Sequence, residues 1–101
     1  MKIITVCGSC KFKKEMTEIT EKMALQGNCM LTPIDLTKSD KDAYTEEAAS
    51  MLDKMHKEKI KLSNAILVVN VNGYIGNSTQ SEIEYAKSLN KEILYYTDLM
   101  K

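Results

Sequence analysis

Glu82 closes the run Asn70-Val71-Asn72-Gly73-Tyr74-Ile75-Gly76-Asn77-Ser78-Thr79-Gln80-Ser81-Glu82, which is rich in amides, hydroxyls and glycine. Such a run suits a turn that opens a helix. Asn70, Asn72, Gly73, Gly76, Ser78 and Thr79 offer polar side chains or accessible backbone to a small ligand. A carboxylate at the helix start is able to serve as nucleophile or general base on that ligand. The spacing Thr79-x-x-Glu82 is also that of a capping box, in which the glutamate reaches back to the Thr79 N–H. The helix dipole favours an acid there as well. Spacing leaves both roles open.

A second turn, Cys7-Gly8-Ser9-Cys10-Lys11, joins a strand end to a helix start. Gly8 permits close backbone approach, and N–H groups at a helix start attract anions. Ser9 adds a hydroxyl and Lys11 a charge, which together suit a phosphate or a sugar. The alternative is a tight turn with Ser9 as its cap. Neither a dinucleotide fingerprint nor a phosphate-binding P-loop pattern is present. Cys7-x-x-Cys10 has the spacing of a thioredoxin-like redox pair. A parallel-sheet pattern and the absence of a suitably placed downstream proline argue against that use. His56 is the single histidine, at the margin of an apolar helical face. No Cys/His spacing indicates a metal site, and no cofactor is expected.

These turns need elements to position them. Residues 2–7 are rich in β-branched types and read as a strand. Phe12, Met16, Ile19 and Met23 then recur at helical spacing until Gly27-Asn28 stops the helix. Residues 29–34 read as a second strand, with Pro33 indicating a terminus or an edge. Residues 35–43 are polar and read as a loop. In the next helical pattern Ala48, Met51, Leu52, Met55, Lys59 and Leu62 share a face. Residues 65–71 form a near-continuous apolar run, as a central strand covered on both sides requires. After the glycine turn, residues 79–89 read as a helix with Ile83, Ala86 and Leu89 inward, and residues 92–96 as a last strand. Alternating strands and helices predict one three-layer α/β/α domain over 1–101 with a four-stranded parallel sheet, for which the common doubly wound order 2-1-3-4 is expected.

Composition narrows the function classes. Lys plus Arg equal Asp plus Glu at 14 each, so no basic excess points to nucleic acid. Lys11, Lys13 and Lys14 form a local cluster that suits either a small anion or a solvated helix face. No apolar run approaches the roughly 18 residues needed to span a membrane. The apolar stretch after Met1-Lys2 is too short for a signal peptide. A cytoplasmic protein is therefore expected, and its three cysteines should be free thiols.

The strings Val6-Cys7-Gly8-Ser9-Cys10-Lys11-Phe12-Lys13, Met55-His56-Lys57-Glu58-Lys59-Ile60 and Asn70 through Ala86 resemble the nucleoside 2-deoxyribosyltransferase-like superfamily. The resemblance covers nearly the whole chain, and the glycine turn followed by Glu82-x-x-Tyr85-Ala86 is its most specific part. It implies a flavodoxin-like parallel α/β fold and a homo-oligomer. The implied activity is cleavage or transfer of the N-glycosidic bond of a nucleoside or nucleoside 5′-monophosphate. The family's glutamate nucleophile falls on Glu82, the sugar- or phosphate-holding turn on Gly8-Ser9, and a phosphate-touching hydroxyl on Ser78 or Thr79. His56 and Asn64 stand where better-known members carry aspartates. His56 is then expected to assist proton transfer, since its ordinary pKa lies near neutrality. A non-catalytic nucleotide-binding module is the alternative.

Overall fold

The computed structural model describes residues 1–33 and 45–100. In chain order it contains β1 (Ile3–Gly8), a 3-10 turn (Cys10–Phe12), α1 (Lys13–Leu25), β2 (Cys29–Leu31) and α2 (Glu46–Leu62). These are followed by β3 (Ala65–Val69), a 3-10 turn (Val71–Gly73), α3 (Asn77–Ser88), β4 (Glu92–Tyr95) and α4 (Tyr96–Leu99). The four strands form one parallel sheet in the order β2-β1-β3-β4. The expected three-layer α/β fold is thus observed. Among the described residues, no helix is long and apolar enough to cross a membrane.

Strand alternation divides the core into two halves. Ile4, Val6, Ala65, Leu67 and Val69 face Ile19 and Met23 of α1. Cys7, Ile66 and Val68 face the opposite way, toward Ile60 of α2 and Ile83 and Ala86 of α3. Every residue of β3 is buried, which explains its unbroken apolar sequence. β2 is a short edge strand, and Pro33 lies just beyond it.

Several boundaries differ from the sequence pattern. β2 ends at Leu31, β3 at Val69 and β4 at Tyr95, and α4 follows directly. The polar loop expected over 35–43 lies outside the described residues. In α2 the buried residues are His56 and Ile60, whereas Met51, Met55 and Leu62 are exposed. The expected apolar face is therefore rotated. Methionine is apolar enough to mark a face by composition, but the packing of α2 on β1 and α3 selects the His56–Ile60 side. Leu89, expected inward, is a half-exposed C-cap, because α3 ends at Ser88 and Asn90 takes a left-handed backbone (φ 59°).

Candidate functional site

The sheet order places the switch in chain direction between β1 and β3, whose ends pair at Gly8 and Val69. Ligand crevices of open α/β sheets lie beyond such strand ends. The two turns singled out by sequence both leave from here. Gly8 is packed closely against β3. A Cβ on it would lie 3.2 Å from the Val69 Cβ and 3.3 Å from the Val69 carbonyl oxygen. The close backbone approach at Gly8 is thus made to β3. Ser9 caps the following 3-10 turn, its hydroxyl accepting the Lys11 N–H at 3.4 Å.

The two turns touch each other. The Lys11 ammonium sits 3.3 Å from the centroid of the Tyr74 ring, and Phe12 meets the same ring edge-on at 5.8 Å. This cation–π and aromatic contact links the β1 and β3 turns. Asn72 (φ 54°) and Gly73 (φ 81°) are consecutive left-handed residues that reverse the chain before Tyr74. Gly76 lies under the Tyr74 ring, where an added Cβ would meet the phenol oxygen at 3.5 Å. Asn70 is buried and its side-chain oxygen accepts the Thr97 N–H at 3.2 Å, so this oxygen ties the β3 end to α4. Asn72 and Gly73 are exposed, and Thr79 is buried.

Glu82 does not form the capping box. α3 begins at Asn77 with Gly76 as its cap, two residues earlier than the pattern suggested, and no side chain caps it. Glu82 is consequently in the second turn, too far along to reach the cap. Its side chain faces the sheet instead. Ser78 donates to Glu82 Oε2 at 3.5 Å, and His56 Nε2 lies 3.5 Å from Glu82 Oε1. Cys7 Sγ is 3.4 Å from the same His56 nitrogen. Cys7 arrives from β1, His56 from α2 and Glu82 from α3.

Burial dominates the electrostatics. Glu82 is only 8% exposed, and burial lifts its pKa to about 7 against the pull of hydrogen bonds from Cys7 and Ser78. Burial, aided by the Lys59 charge, lowers His56 to about 4. The imidazole is therefore neutral near pH 7, and the expectation of a near-neutral proton carrier is overturned. The His56–Glu82 contact is accordingly not an ion pair at that pH. His56 Nδ1 is buried without a partner among the described residues. Placing the proton on Nε2 avoids burying an unsatisfied N–H and directs that proton at Glu82. Cys7 is fully buried, and burial together with the Glu82 charge raises its thiol well above the ordinary range. A redox thiol needs the opposite shift and solvent access, so the Cys7-x-x-Cys10 redox reading does not fit.

Glu82, His56 and Ser78 thus converge, with Gly8 and Ser9 at the adjoining strand end. Asn64 is at the other end of the sheet, exchanging hydrogen bonds with the Ile3 backbone at 2.8 Å. It is no part of this cluster. Spacing in the chain does not mark Cys7 as a neighbour of Glu82 or Tyr74 as a neighbour of Lys11. Cys7 was legible only through its odd position in β1, which shares the α2/α3 face with Ile66 and Val68. Tyr74 left no signal. An open groove of about 530 Å³ beside the start of α2, lined by Glu46, Glu47, Ser50, Met51 and Lys54, includes none of these residues. No protein-family model matches the chain, and no curated protein matches it at significance.

Proposed function

We propose that the protein cleaves or transfers the N-glycosidic bond of a nucleoside or nucleoside 5′-monophosphate, with Glu82 as nucleophile. The observation that carries this reading is the state of Glu82. It is buried beside the ends of β1 and β3, contacted by Ser78 and His56, and shifted to about 7. An appreciable ionised fraction is then present near neutrality, and that is the form that attacks. In the step proposed, a Glu82 oxygen bonds to C1′ as the C1′–N bond breaks. The bonding pair leaves on the base nitrogen, which takes a proton from solvent. Water or a second base then displaces the ester and restores the carboxylate. Neutral His56 is a positioning residue, its Nε2–H directed at the carboxylate. Lys11, Ser9 and Ser78 suit the sugar or its 5′-phosphate. The same reading makes the protein a cytoplasmic homo-oligomer, for which Met51, Met55 and Leu62 of α2 offer exposed apolar surface.

The test is base release from a panel of nucleosides and 5′-monophosphates. Wild-type protein should release base from at least one, and Glu82→Gln should release none while remaining folded. Equal activity in the two proteins removes Glu82 from the role.

One observation favours a second reading, a nucleotide-binding module without catalysis. Only a tenth of the Glu82 side chain reaches solvent. A melting temperature raised by nucleotides, with no base released over long incubation, would select that reading.

A further inference from the structure

The three side chains around His56 Nε2 have a geometry that the glycosidic reading does not use. Thiolate, imidazole and carboxylate are the protein donors of zinc. Cys7 Sγ lies 3.4 Å from His56 Nε2, His56 Nε2 lies 3.5 Å from Glu82 Oε1, and the three groups offer ligand atoms within 4.8 Å of one another. Zinc bonds of about 2.3 Å to sulfur and 2.0–2.2 Å to nitrogen and oxygen, at tetrahedral angles, place S and N about 3.6 Å apart and N and O about 3.4 Å apart. The Sγ–Nε2 and Nε2–Oε1 separations agree with these values to within about 0.2 Å. Each donor also comes from a different packed element, so the set is held by the fold and not by local sequence.

We propose that Cys7 Sγ, His56 Nε2 and Glu82 Oε1 form a three-ligand site for a borderline divalent cation of the zinc class, with water in the fourth position. Hard cations such as Mg²⁺ and Ca²⁺ prefer all-oxygen shells and are disfavoured by the thiolate and imidazole. Binding releases the Cys7 thiol proton, and the Glu82 proton where present, to solvent. His56 takes the metal on Nε2 and carries its proton on Nδ1. That N–H has no acceptor among the described residues. Supporting acceptors of this kind are worth about 10–100-fold in metal affinity, so the site is weaker than a fully supported one by about that factor. A bound cation occupies the Glu82 lone pair and therefore competes with any sugar. The site itself does not depend on the glycosidic reading.

The test uses the full chain with Co²⁺ as probe. One equivalent should produce thiolate-to-cobalt charge-transfer absorption and the visible bands of a tetrahedral centre, and excess Zn²⁺ should remove both. Cys7→Ser should lose the charge-transfer band, whereas a Cys10→Ser, Cys29→Ser double variant should keep it. His56→Gln and Glu82→Gln should each weaken binding at least tenfold. Glu82→Gln keeps the side-chain shape, and its fold is checked by circular dichroism. It should also lose the rise in melting temperature that Zn²⁺ gives the wild type. The proposal is overturned if wild-type protein shows no charge-transfer band at millimolar Co²⁺, or if the band survives in Cys7→Ser. Base release assayed in excess chelator tests the glycosidic reading separately, so the two failures are distinguishable.

Discussion

Glu82 carries a cost in stability that its environment does not fully offset. Its folded pKa is raised from 4.5 to about 7, so the folded state holds the proton more tightly. The stability this contributes is complete below about pH 4.5 and is lost as pH rises through about 7. His56 works in the opposite sense. Its folded pKa falls from 6.5 to about 4, so its contribution is present above pH 6.5 and is lost as pH falls through about 4. Between 4.5 and 6.5 the two slopes oppose each other, and the wild type should show a flat profile there in urea titrations. Glu82→Gln leaves only the His56 effect. The variant should gain stability from pH 4 to 6.5 and stay level above. At about pH 8 it should exceed the wild type by about 3 kcal/mol at most, from the 1.36 kcal/mol per pKa unit that links the two. A variant less stable than wild type at that pH would show that the ionised carboxylate is better solvated than its burial implies. Gly8→Ala should destabilise by about 1–3 kcal/mol, because its Cβ is forced against Val69, and denaturant midpoints would register it.

The elements matter through the faces they present. β1 alternates between the two halves of the core, and that parity alone puts Cys7 with α2 and α3. α2 delivers His56 because its buried side runs through His56 and Ile60. Among the described residues, the outer side, with Met51 and Met55, is exposed. A Met51→Lys, Met55→Lys double variant should therefore change the unfolding free energy of the monomer by no more than about 0.5 kcal/mol. Sedimentation of the same variant reports directly on association through that side. At the opposite end of the sheet, the Asn64 side chain accepts the Ile3 N–H at 2.8 Å. Asn64→Ala should lower stability by about 1 kcal/mol, read by thermal unfolding, and leave the Glu82 cluster intact.

At the scale of the whole molecule, the alternation of strands and helices and the fully apolar Ala65–Val69 segment were enough to indicate a parallel sheet with that segment inside it. The order 2-1-3-4 matches a common doubly wound arrangement that alternation by itself does not impose. The two turns that flank the switch point were legible for the same reason, since glycine, serine and asparagine interrupt the periodic pattern where the chain must reverse. Glu82 was visible as a carboxylate near a helix start. Its role there was not, because moving that start by two residues turns a capping glutamate into one that faces the sheet. His56 was placed at the edge of an apolar face that the fold then rotated, and the methionines that suggested the face lie outside. The meeting of Cys7, His56 and Glu82 spans residues from three elements, with no spacing in the chain to announce it. Periodicity records which side of its own element a residue occupies. Only the packing of those elements decides which residues meet, how deeply they are buried, and hence that one carboxylate titrates near neutrality while the histidine beside it stays neutral.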